Sequence, residues 1–234
     1  MKGKGKTIIL IGAICVLLSV STIGVTMAFL FDQDSAKNVL TVGEIDMMLQ
    51  EPNYPPDEKD RILVPYQKLS KDPQLINIGM NDCIGFIKLT IPLENSIMIK
   101  EDRKKEDTAK YQEIFEIGVK EGTASERYEN ITYNNKWVYL KDTLNEEVHT
   151  HTYYFGYSEV LKPNNKTEAL FDTVMLKSIL ENGSEENITE HILVDGYGIQ
   201  AGDYLDESID ASNLNKENLT KIYTIIENQR GMTE

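Results

Sequence analysis

The sequence predicts an all-β protein with helical insertions, built as a jelly-roll-like antiparallel β-sandwich. Three observations carry the prediction. Residues 43–49 alternate, with Gly43, Ile45, Met47 and Leu49 on one side and Glu44 and Asp46 on the other, the period of a strand with one buried face. About eight short runs of strand character recur along the chain between turn residues, the spacing of a sandwich. Helical patterns between most of them, which a parallel α/β fold requires, are missing.

The chain opens with three lysines in residues 1–6, then an apolar stretch without charge over residues 7–26, then Thr26-Met27-Ala28. A basic start, an apolar core and a small-residue exit make a secretory signal peptide, so cleavage is expected between Ala28 and Phe29. An uncleaved membrane anchor is the alternative, because about 20 apolar residues can span a bilayer. A lipoprotein is excluded, since Cys15 follows Ile14 inside the apolar run. Residues 29–234 are expected to form a single domain. Losing residues 1–28 removes three lysines and no acid, which moves the formal charge from −14 to −17. That charge repels phosphates and anionic lipid, so neither nucleic acid nor, after cleavage, a membrane is an expected partner. Cys83 alone remains in the mature chain, which rules out an intramolecular disulfide, and its strand-like setting suggests a buried, inert thiol.

The mature start is unusual. An apolar triplet, Phe29-Leu30-Phe31, leads into a polar run, residues 32–38, ahead of the alternating strand. Residues 51–57 hold three prolines and exclude regular structure. Residues 75–78 read as a strand, with a hairpin turn at Met80-Asn81-Asp82 before the next. That next strand places Cys83, Gly85, Ile87, Leu89 and Ile91 on one face, with Lys88 and Thr90 opposite, and Pro92 is expected to end it. Over residues 97–119, Tyr111, Ile114, Phe115 and Gly118 follow helical spacing after a densely charged stretch, which suggests a charged, helical insertion at about residues 94–135. Strands resume at residues 136–140, around Trp137, and at 148–157. Residues 163–165 form a turn, residues 170–180 suit strand or helix, and residues 192–200 alternate again. Leu219, Ile222, Ile225 and Ile226 predict a terminal helix over residues 213–228.

Chemical constellations are sparse. His149 and His151, two apart on a strand, could project from one face as a metal pair, but without an H-E-x-x-H helix a solvent-facing strand edge is the simpler reading. His191 follows Glu190 without a second histidine. Asp203, Asp206, Glu207 and Asp210 cluster but do not match an EF-hand loop. No catalytic residue, cofactor or resident metal is expected from these patterns.

The order of an apolar exit at Ala28-Phe29-Leu30-Phe31-Asp32 and then Asn38-Val39-Leu40-Thr41-Val42-Gly43-Glu44-Ile45-Asp46 resembles the TasA/camelysin family of Gram-positive exported proteins. Their SipW-type signal peptides are removed by a dedicated signal peptidase. The phrases Leu63-Val64-Pro65-Tyr66-Gln67-Lys68, Lys71-Asp72-Pro73, residues 77–82, Ala169-Leu170-Phe171-Asp172 and residues 196–201 extend the resemblance, whereas residues 101–135 match nothing in it. The resemblance implies a jelly-roll sandwich secreted to the cell surface or biofilm matrix. It also implies head-to-tail homopolymerisation, in which the arm Phe29, Leu30, Phe31, Asp32, Gln33, Asp34, Ser35, Ala36 and Lys37 adds as a strand to the next subunit. Strand addition suits the residues: main-chain bonds give affinity and alternate apolar side chains fill a groove. Other matrix or cell-wall components are further expected partners, with the signal peptidase during export. Two alternatives stand beside a fibre protein. One is a camelysin-like surface metallopeptidase resting on His149 and His151. The other is a monomeric surface adhesin whose binding loop is the insertion.

Overall fold

The computed structural model describes residues 39–42, 46–57, 61, 65–99, 103–180, 192–202 and 212–230. The expected signal peptide and donor arm, residues 1–37, together with Gly43, Glu44 and Ile45 of the alternating run, His191 and the acidic cluster at 203–210, lie outside the described residues. The strands, in chain order, are β1 (Val39–Val42), β2 (Met47–Gln50), β3 (Lys68–Ser70), β4 (Gln74–Asn77), β5 (Cys83–Met98), β6 (Lys110–Glu113) and β7 (Phe115–Gly118). They continue as β8 (Ser125–Tyr128), β9 (Ile131–Asn134), β10 (Trp137–Asn145), β11 (Thr150–Tyr157), β12 (Thr173–Leu176), β13 (Ile179–Leu180) and β14 (Leu193–Gln200). One helix, α1 (Lys216–Arg230), closes the described chain. The protein is all-β, a mainly antiparallel sandwich with a helix laid on one of its outer faces.

The larger sheet has the order β1-β14-β5-β11-β10, with β6 and β13 pairing the far half of β5. The second runs β3-β12-β7-β9-β8, and β2 and β4 form a separate pair. β5 is the spine. Cys83, Ile87, Leu89 and Ile91 turn inward, as their alternation predicts, to a core shared with Phe115, Ile117, Ile131 and Val174 of the second sheet and with Met47 and Leu75. The intervening Ile84 and Phe86 face the other way and meet Leu219, Ile222, Tyr223 and Ile226 of α1. Gly85 lets the inner face pack closely: a Cβ there would lie 2.9 Å from a methyl of Leu75, which would have to shift. The helix begins where Asn215 accepts a hydrogen bond from the Asn218 amide at 3.0 Å, an N-cap three residues ahead of its partner.

Three expectations need correction. Pro92 does not end its strand. It lies where the partner of β5 changes, pairing Thr150 of β11 just before Leu93 takes up Glu113 of β6, so no continuous ladder needs its missing N–H. Residues 80–82 do not close a hairpin, because β4 pairs β2 while β5 belongs to the larger sheet. The insertion at 94–135 is not helical: it is the end of β5 followed by β6, β7, β8 and β9. Its apparent helical spacing has a geometric origin. β6 pairs β5 in one sheet and β7 pairs β12 in the other, so the chain crosses the core at Glu113, Ile114 and Phe115. All three are buried in succession. Consecutive burial at a crossing overlays the period-two signal and mimics an i, i+3, i+4 stripe.

Candidate functional site

The crossing at the end of β6 carries a carboxylate, Glu113, into the interior, where only 6% of it remains exposed. β11 supplies its neighbours. The strand alternation puts His151, Tyr153, Phe155 and Tyr157 on the inward face, and Phe155 and Tyr157 belong to the apolar core. β10 supplies the fourth group through an irregularity. Its register against β11 shifts between Tyr139 and Lys141, so Leu140 and Lys141 both serve the helix side, Leu140 in the apolar cluster and Lys141 in a 2.6 Å ion pair with Glu227. The next residue, Asp142, is thereby turned inward beside Tyr139. A β-bulge has re-aimed a side chain. The turn between β8 and β9 contributes Glu129, a non-glycine residue at φ 49°, in the left-handed region that such residues rarely occupy.

These groups form one network. His151 has a carboxylate at each ring nitrogen: Nδ1 lies 2.7 Å from Glu113 Oε1 and Nε2 lies 2.8 Å from Asp142 Oδ2. Only the doubly protonated ring donates to both. Burial pulls the His151 pKa down, but the two carboxylates outweigh it and the net shift is upward. Glu113 shows the converse, since burial raises its pKa while hydrogen bonds from His151, Tyr153 and Asn130 bring it below the ordinary value. The Tyr153 hydroxyl donates to Glu113, lies 2.8 Å from His151 Nδ1 and reaches Glu129 Oε2 at 3.3 Å. Asp142 is fixed by hydroxyls of Tyr139 and, at 3.2 Å, Tyr128, whose rings stack at 3.9 Å. Its carboxyl is held below the usual range, chiefly by the Tyr139 hydrogen bond. Lys177 stands at the margin with Nζ 3.4 Å from the Glu113 carbonyl, and burial lowers its pKa.

The network floors a cleft of about 750 Å³, whose walls include Tyr111, Glu106, Leu144 and His149. His149 and His151 share this cleft but do not act as a pair. His149 precedes β11 at φ 51°, so the strand period does not reach it, and its ring stacks on Tyr111 at 3.5 Å. His151 is not on a solvent-facing edge, since its side chain is 12% exposed. The groups that gather round it, Glu113, Glu129 and Asp142, were not legible from spacing, because they come from three other parts of the chain.

Comparison of the chain with protein-family models, curated proteins and solved structures gives no match.

The expected cleavage site, Ala28 and Phe29, and the expected arm at residues 29–37 lie outside the described residues. What is described is the segment that follows them. β1 pairs β14 in parallel, with Val39 opposite Gly196 and Val42 opposite Ile199, and among the described residues it ends the larger sheet. Cys83 is fully buried, and burial pushes its thiol pKa up to about 12.

Proposed function

We propose that the protein is a secreted structural component of the cell surface or matrix, assembling head to tail when the arm of one subunit adds to a sheet of the next. One observation carries the reading. The arm is joined to the first residues of an edge strand, β1, which among the described residues is hydrogen-bonded on one side only. An open edge is a template for a further strand, and a heterologous contact of this kind extends into filaments rather than closing. Phe29, Leu30 and Phe31 supply side chains to bury, each worth about 1.5–3 kcal/mol before the entropy of ordering the arm is subtracted. Signal cleavage is the trigger, since it frees the triplet from its tether.

The mature chain, residues 29–234, is expected to form fibres visible by negative-stain electron microscopy. A chain lacking residues 29–37 is expected to remain a folded monomer, and a synthetic peptide of residues 29–37 to block growth of the intact one. Fibres of unchanged appearance from the shortened chain refute strand donation. Persistent monomers of the intact mature chain favour a surface binding module, and casein cleavage by it favours the metallopeptidase.

A further inference from the structure

The His151 network has the layout of a cation site, and this is independent of how the subunits assemble. Glu113, Glu129 and His151 each offer a ligand atom, and these atoms lie within 4.8 Å of one another. Asp142 occupies Nε2 of the imidazole and is itself braced by two tyrosines. That is how a carboxylate orients a metal-binding histidine: it fixes the ring and leaves the other nitrogen to face the ion. The other nitrogen, Nδ1, faces Glu113 Oε1 at 2.7 Å. Glu129 approaches from the opposite hairpin, through the Tyr153 hydroxyl that also meets Nδ1. Three carboxyl groups thus surround one imidazole, with Lys177 the marginal cation, and the surplus of negative groups favours a positive ion. The cleft of about 750 Å³ alongside leaves room for water to complete the coordination.

We propose that Nδ1 of His151 and the carboxylates of Glu113 and Glu129 bind one divalent cation of the Zn2+ class on the cleft floor. The donor set selects the ion: imidazole with carboxylates suits Zn2+, whereas Mg2+ and Ca2+ prefer an all-oxygen shell. Bonds of about 2.0–2.2 Å from nitrogen and oxygen require Glu113 to draw back from Nδ1 and Glu129 to close in. Glu129 can move, because it is an exposed residue on a hairpin turn. As the metal bonds to the Nδ1 lone pair, the proton carried there passes to solvent, and the Tyr153 hydroxyl keeps donating to the Glu113 carboxylate. The ion would join β6, the β8–β9 turn and β11 at the cleft.

The test uses the mature chain, freed of metal by a chelator and titrated with zinc chloride by calorimetry at pH 7. Two buffers of different ionisation enthalpy report the proton released. One saturable site with release of about one proton is expected, and magnesium chloride gives no heat at the same concentrations. Glu129→Gln, at an exposed position where folding is preserved, is expected to weaken zinc binding more than about tenfold, and Asp142→Asn by about 10–100-fold. His149→Ala is expected to bind as the unaltered chain does. Absence of saturable zinc uptake overturns the proposal and leaves a histidine–carboxylate core network only. So does a Glu129→Gln chain that binds with unchanged affinity, or loss of binding in His149→Ala.

Discussion

The two faces of the larger sheet solve burial differently. The face under α1 is packed with Ile84, Phe86, Leu140, Tyr197 and Ile199 against the apolar stripe of the helix, and its charged pair, Lys141 with Glu227, lies at the margin. The face toward the second sheet is larger and begins as an ordinary apolar core, yet at the β6 end it takes in Glu113, His151 and Asp142. A stabilising face needs only area removed from water. A buried ion network needs every proton and lone pair matched, and apolar residues of similar volume often serve stability as well or better. The contrast sets a polar end, whose groups must all be matched, against a helix-backed face held by apolar contact.

The largest effects that sharpen this contrast come from neighbours on β5. Phe86 and Ile87 are both fully buried but point to opposite faces. Phe86→Ala is expected to cost about 3–5 kcal/mol and Ile87→Ala about 2–5 kcal/mol in denaturant unfolding, the range of large-to-small core changes. Their signatures should differ: Phe86→Ala accelerates amide exchange in α1, and Ile87→Ala leaves that helix no less protected than the rest of the sandwich. Equal exchange in α1 for the two variants would mean that the faces are not separate cores.

A middle-sized effect belongs to the polar end and appears as pH dependence of the chelator-treated chain. His151 titrates above its ordinary 6.5, so its stabilising share is complete below 6.5 and lost as pH rises through the folded-state value. Glu113 and Asp142 titrate below their ordinary 4.5 and 3.8. Their share is present above those values and lost as pH falls through the depressed ones. Melting temperature should therefore peak between the carboxylate and imidazole ranges, and His151→Gln should flatten the alkaline limb. An alkaline limb of unchanged slope in that variant would assign the loss to other groups.

The smallest effect is a null one. Cys83 sits on the inter-sheet face with its thiol pushed up to about 12, and the thiolate is the reactive form. Iodoacetamide at pH 8 should leave the native chain unmodified by mass spectrometry and label it once it is unfolded in guanidinium. Labelling of the native chain would show that this part of the core opens.

Much of the apolar architecture was legible in the sequence because it repeats at a fixed period. The inward row from Cys83 to Ile91, the glycine within it and the stripe of α1 were all visible that way. What escaped notice has no period. The crossing at Glu113 looks helical because the chain passes between sheets, and Pro92 looks like a terminator because a change of strand partner leaves no mark in sequence. His151 was visible as a residue, but its setting was not. Glu113 is far upstream of it, Asp142 is aimed by a one-residue bulge, and Glu129 depends on a backbone angle that nothing in a glutamate announces. Sites assembled across sheets from single residues are the part of a fold that spacing reports least.

The parallel ladder of β1 with β14 also sets a clock. Among the described residues the first strand pairs only with the last, so the leading end of the ladder must wait for the trailing end. Closure of that ladder depends on contacts between opposite ends of the chain, the slowest kind to form. The helix and the hairpins β8–β9 and β10–β11 join near neighbours and need no such wait. Until β14 arrives, β1 has no partner strand among the described residues, and both of its edges stand open to any strand within reach.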